Sequence, residues 1–140
     1  MGATLVFPAV RPAAAIRAAR RRVIVVDDDE FLRELLYIHL SNDGYDVVIA
    51  EDAVAAGRAV LERVPDLMIS DVDMPHMDGI ELVSAIRADR SIPFFPVIFL
   101  SAMPQEARRA RGLGATYLLK PILADRLLDA VAAELQFRAF

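Results

Sequence analysis

Five short, unbroken apolar runs punctuate this chain: Val23-Ile24-Val25-Val26, Val47-Val48-Ile49, Leu67-Met68-Ile69, Val97-Ile98-Phe99-Leu100 and Tyr117-Leu118-Leu119. Continuous rather than alternating runs are what strands covered on both faces produce. Between the runs, apolar residues recur at helical spacing. Phe31, Leu32, Leu35, Leu36 and Leu40 follow one face, and Asn42-Asp43-Gly44 ends that helix with a glycine suited to a left-handed cap. Asp52 is placed to cap a helix over about 52–63, which Pro65 stops. Asp78 with Glu81 has the capping-box pattern and opens a helix over about 78–88. Pro104 suits the first turn of a fourth helix, and Ile122, Leu127, Leu128, Val131 and Leu135 mark a fifth. This alternation predicts an α/β fold, a doubly wound parallel sheet of five strands with helices on both faces. Ligands of such sheets sit beyond the carboxyl ends of the strands.

At 140 residues the chain is long enough for one domain with a substantial core. Its hydrophobic content of 56% argues against disorder. No apolar run approaches the ~18 residues of a membrane span, so no membrane partner is expected. The absence of cysteine excludes disulfides and thiolate metal sites. Residues 1–22 carry five arginines and no acid, whereas the remainder carries 11 basic and 20 acidic side chains. The acidic body argues against a nucleic-acid partner, because a phosphate backbone would be repelled. The N-terminal stretch has neither the apolar core of a signal peptide nor a myristoylation signal, since Val6 stands where Ser or Thr is required. Residues 1–21 therefore read as a basic, poorly ordered arm, residues 22–140 as the domain, and the cytoplasm as the expected location. The last helix runs nearly to Phe140, with no DNA-binding segment after it, and direct transcriptional control is not expected.

The chain uses arginine fifteen times and lysine once, at Lys120. An ammonium is a compact charge that can approach a single oxygen, which a guanidinium fork cannot. Asp27, Asp28, Asp71 and Ser101 also follow apolar runs, so all five groups fall at strand ends. An Asp pair alone is often only a polar turn, and Ser is a common turn former. Taken together, three carboxylates, a hydroxyl and an ammonium suit a phosphoryl group and a hard divalent cation such as Mg²⁺, which takes oxygen ligands. Crowded carboxylates repel unless a cation lies between them. Tyr117 reads equally as a packing residue. His39 reads as a surface position on the first helix and His76 as a solvated loop residue. Arg108, Arg109 and Arg111 read as a solvated helix face.

Val26-Asp27-Asp28, Ser70-Asp71-Val72-Asp73-Met74-Pro75-His76-Met77-Asp78-Gly79, Leu100-Ser101-Ala102 and Tyr117-Leu118-Leu119-Lys120-Pro121 together resemble the receiver domain of bacterial response regulators over about residues 22–137. The resemblance implies the flavodoxin-like (βα)5 fold with strand order 2-1-3-4-5. It implies that Asp71 is the phosphoacceptor, with Lys120 and Ser101 contacting the phosphoryl oxygens. Asp28, Asp71 and the backbone carbonyl of Asp73 would hold Mg²⁺, with Asp27 acting through water. Ser101 and Tyr117 would form a switch in which the ring moves from exposed to buried and remodels the surface of helix 4, strand 5 and helix 5. A cis Lys120–Pro121 bond is implied too. The implied partners are a sensor histidine kinase or a histidine phosphotransfer protein, a downstream protein, and a second copy through the helix 4–strand 5–helix 5 face.

The chain departs from the family pattern in places. Only 18 residues lie between Ser101 and Lys120, so the fourth helix and its exit should be short by some 3–4 residues, about one turn. Asp73 and His76 take positions where other residues are common, and Leu123 stands where a capping Ser or Asp would serve better. The leading expectation is a stand-alone phosphoacceptor switch rather than an enzyme. An enzyme-class rival is a haloacid-dehalogenase-like phosphatase using Asp71 and Asp73. That family places its last acidic pair after the lysine, where this chain has only the separated Asp125 and Asp129. A third reading is a receiver-like interaction module that works without phosphorylation.

Overall fold

The computed structural model describes residues 20–137. The expected arm lies outside the described residues except for Arg20 and Arg21, and Arg21 already offers its carbonyl to the Asp46 amide at the edge of the sheet.

Among the described residues five strands and five α-helices alternate: β1 (Arg22–Val26), α1 (Glu30–Asn42), β2 (Asp46–Ala50), α2 (Ala53–Glu62), β3 (Leu67–Asp71), α3 (Gly79–Ala88), β4 (Val97–Ser101), α4 (Ala107–Gly112), β5 (Thr116–Leu119) and α5 (Ala124–Phe137). The strands are all parallel and ordered β2-β1-β3-β4-β5. Strand alternation sorts the core into two layers. Val23, Val25, Ile69, Ile98 and Leu100 point to one face, where Leu36 and Leu40 of α1 and Leu127, Val131 and Leu135 of α5 cover them. Ile24, Val26, Met68, Val97 and Phe99 point to the other, under Ala56 and Val60 of α2, Val83 and Ile86 of α3, and Ala110 of α4.

The helix starts follow their capping chemistry. Asp29 accepts from the Phe31 and Leu32 amides, and Asp52 from Ala55. Asp78 and Glu81 form the reciprocal capping box that the sequence predicts. Gly44 follows α1 with φ +97, a conformation that a side chain would strain. One expectation needs correction. Not every apolar run is covered on both faces, because β2 is an edge strand and Ile49 remains 43% exposed. The shortened fourth helix is as expected: a 3-10 turn over Pro104–Glu106 leads into a six-residue α4.

Candidate functional site

The sheet register assembles the site. Val26 pairs with Ser70, so the next residues, Asp27 and Asp71, leave adjacent strands side by side. Ser101 pairs with Leu119, and the Lys120 amide donates to the Ser101 carbonyl at 2.8 Å. Lys120 thereby enters over the acids from β5, and the Lys120–Pro121 peptide is cis. Since β1 and β3 are neighbours while β2 lies on the far side of β1, the crevice opens where the strand order reverses.

Asp27, Asp28, Asp71, Asp73 and Lys120 line one cavity of about 370 Å³, with Asp29, Ala102 and Met103. Lys120 Nζ donates to Asp71 Oδ1 at 3.1 Å and stands 3.8 Å from Asp27 Oδ2. The Asp73 amide also donates to Asp71 Oδ1, at 3.3 Å. One carboxylate oxygen of Asp27, Asp28 and Asp71 each can be chosen so that all three lie within 4.8 Å of one another. Asp27 is 1% exposed, and among the described residues its buried Oδ2 has no hydrogen bond and only the ionic attraction of Lys120. A buried carboxylate oxygen with no donor is a costly arrangement that a bound cation relieves. The donor set is all oxygen and fits a hard divalent ion.

The electrostatics carry the same strain. Burial raises the Asp27 carboxyl to about 6; the neighbouring Asp71 and Asp28 charges push the same way, against the Asp29 amide and Lys120. Burial also raises Asp71 above the ordinary carboxylate range, with Lys120 and the Asp73 amide pulling back.

Two of the expected residues, Ser101 and Tyr117, stand behind the cavity lining and reach it through Met103. Ser101 is fully buried, and its Oγ accepts from the Met103 amide at 3.0 Å. Tyr117 is half-buried against the core, and its hydroxyl donates to the Met103 carbonyl. His39 is half-buried on α1 and borders an apolar cleft beside Pro121, rather than lying freely at the surface. His76 is exposed in the β3–α3 loop and takes a positive φ of 71, where a glycine would be unstrained.

Two residues that support the site were not singled out as such. Gly79 sits so close beneath β3 that a Cβ there would lie 2.2 Å from the Asp71 carbonyl oxygen. Arg33 on α1 donates from Nη1 to the Asp27 carbonyl at 2.8 Å. Asp-Gly at the start of α3 hinted at the first. For the second, the sequence signal was an arginine one turn after an acidic cap.

The comparisons with known proteins agree with this geometry. The family model described as the response regulator receiver domain matches residues 23–132. The DNA-binding response regulator MtrA of Mycolicibacterium paratuberculosis is 37% identical over 120 residues, which cover 84% of this chain and 52% of that protein. The response regulator MprA of Mycobacterium leprae is 36% identical over 118 residues, 82% of this chain and 51% of the relative. The chain thus spans about half the length of these curated relatives. Among solved structures, the chemotaxis protein CheY4 of Vibrio cholerae superposes with a TM-score of 0.77 at 32% identity, covering 83% of this chain and 99% of that one. The receiver domain of the Francisella response regulator 1452 gives a TM-score of 0.78 at 28% identity, covering 85% and 99%. A parallel sheet of this strand order, an acidic crevice at its carboxyl edge and a family match over nearly the whole described fold place the chain in the response regulator receiver domain family, whose general function is phosphorylation-dependent signalling.

Proposed function

We propose that the chain is a receiver that takes a phosphoryl group onto Asp71 from a phosphohistidine of a sensor histidine kinase or a histidine phosphotransfer protein. The observation that carries this reading is the convergence of Lys120 Nζ on Asp71 Oδ1 at 3.1 Å, beside two further carboxylates. Asp71 Oδ1 takes both hydrogen bonds, from Lys120 and Asp73, which hold the carboxylate in one orientation. A carboxylate oxygen attacks phosphorus, the P–O bond forms, and the P–N bond breaks with its electron pair leaving on the imidazole. Positioning and charge cancellation supply most of the acceleration in such transfers.

Asp28, Asp71 and the backbone carbonyl of Asp73 would hold Mg²⁺, with Asp27 helping through water. When bound, the ion supplies positive charge against the phosphoryl oxygens and the crowded acids. Lys120 contributes the fixed part of that charge. Ser101 Oγ, one residue beyond the end of β4's paired run with β3, can exchange the Met103 amide for a phosphoryl oxygen. Because Met103 also holds the Tyr117 hydroxyl, that exchange reaches β5 and biases the α4–β5–α5 face, where a downstream protein or a second copy docks.

The test is acid-labile, hydroxylamine-sensitive labelling by a panel of phosphorylated kinases with Mg²⁺. Asp71→Asn should abolish it, and retained labelling in that variant would refute the assignment. Steady multiple turnover of a generic phosphomonoester would favour the dehalogenase-like phosphatase instead. An unchanged Tyr117 environment on adding beryllofluoride and Mg²⁺ would favour a phosphorylation-independent interaction module.

A further inference from the structure

We infer that Arg33 is a positioning residue for the divalent cation, acting through the Asp27–Asp28 peptide; this rests on the proposed Mg²⁺ site. Asp27 is held at three points, two on its backbone and one on its side chain. Its amide donates to the Ala50 carbonyl at 3.1 Å. Its Oδ1 accepts from the Asp29 amide at 2.9 Å. Its carbonyl accepts from Arg33 Nη1 at 2.8 Å. The first two bonds fix the strand end and the buried side chain. The third is the one that sets the plane of the peptide leading into Asp28, whose exposed carboxylate makes no hydrogen bond or ion pair within the described residues.

The placement of Arg33 runs against local preference. It is the fourth residue of α1, and a cation near a helix N-terminus opposes the helix dipole. A residue that breaks a local rule at a site marks a gain elsewhere. Its half-buried guanidinium reaches back over the first turn to a main-chain oxygen, a task suited to a long, planar donor fork. Groups that orient metal ligands from behind commonly change metal affinity by about 10–100-fold when removed.

Arg33 has two effects of opposite sign on a bound cation. Its positive charge repels the ion, whereas its hydrogen bond orients Asp28 toward it. Positioning outweighs repulsion, so removing the side chain weakens binding even though a like charge is lost. The test is a titration of the ¹⁵N-labelled protein with MgCl₂, followed by amide shifts at Asp28, Asp71 and Asp73. Arg33→Ala should raise the Mg²⁺ dissociation constant by about tenfold or more. Arg33→Lys, which keeps one donor, should recover most of that loss. Arg126→Ala removes an equal charge from α5 and should leave the constant unchanged. Urea unfolding in EDTA reports whether each variant is folded, so that a general loss of structure is separated from a loss of metal. Equal or tighter binding in a folded Arg33→Ala overturns the inference and leaves the proposed function standing. Absence of Mg²⁺ binding by the wild-type protein overturns both.

Discussion

Lys120 Nζ meets Asp71 Oδ1 at 3.1 Å across 49 residues of sequence. The same ammonium stands 3.8 Å from Asp27 Oδ2, so one point charge serves two buried acids. A guanidinium in that place would spread its charge over a plane and direct its donors along fixed lines. Lys120→Arg should therefore resemble Lys120→Ala rather than the wild type. Both should slow labelling of Asp71 by about 100-fold, the loss typical of one electrostatic donor at a reacting centre. Rapid quench with a radiolabelled phosphodonor measures it.

Gly79 should tolerate no side chain. A methyl group there would press on the Asp71 carbonyl oxygen at 2.2 Å and on Ser70 Oγ at 2.8 Å, both in the body of the sheet. Gly79→Ala should destabilise the fold by about 3 kcal/mol, the upper range for overpacking. Urea denaturation gives the value, and amide shifts at Asp71 should move with it.

Asp27 makes the metal-free protein sensitive to pH. Its carboxyl rises from 3.8 unfolded to about 6 folded, so between those values the native state holds the extra proton. Stability from this group is thus highest below pH ~4 and is lost as pH rises through 6. Asp27→Asn should stabilise the metal-free protein at pH 7.5 by on the order of 2 kcal/mol. The advantage should shrink toward zero at pH 4. Urea midpoints in EDTA at the two pH values check the sign.

Ser101 and Tyr117 hold opposite ends of the same residue, the amide and the carbonyl of Met103. Tyr117→Phe should cost about 1 kcal/mol, the ordinary worth of one hydrogen bond. Ser101→Ala leaves the Met103 amide without its acceptor and should cost more, about 2 kcal/mol. Tyr117→Phe should leave Asp71 labelling near the wild-type rate, whereas Ser101→Ala should reduce it. Denaturation and labelling read the two effects separately.

Much of this organisation was legible in the sequence, for physical reasons that differ by element. Asp52 and Asp78 revealed their helices because capping chemistry is local. The apolar runs revealed strands because buried parallel strands need no alternation. What a run cannot report is its place in the sheet, and Ile49 is exposed because β2 lies at an edge. The direction of Ser101 Oγ was likewise hidden, since it depends on a backbone amide two residues on. The clash that forbids a Cβ at Gly79 involves the main chain of another element, which no spacing rule records.

The six residues of α4 shelter one side chain, the methyl of Ala110. Such a segment draws only about 0.8 kcal/mol from burial of that group. It is the shortest of the five described helices and buries the fewest side chains. Its amides should be the first among the five helices to exchange with deuterium, and a message written in the crevice needs little force to be read there.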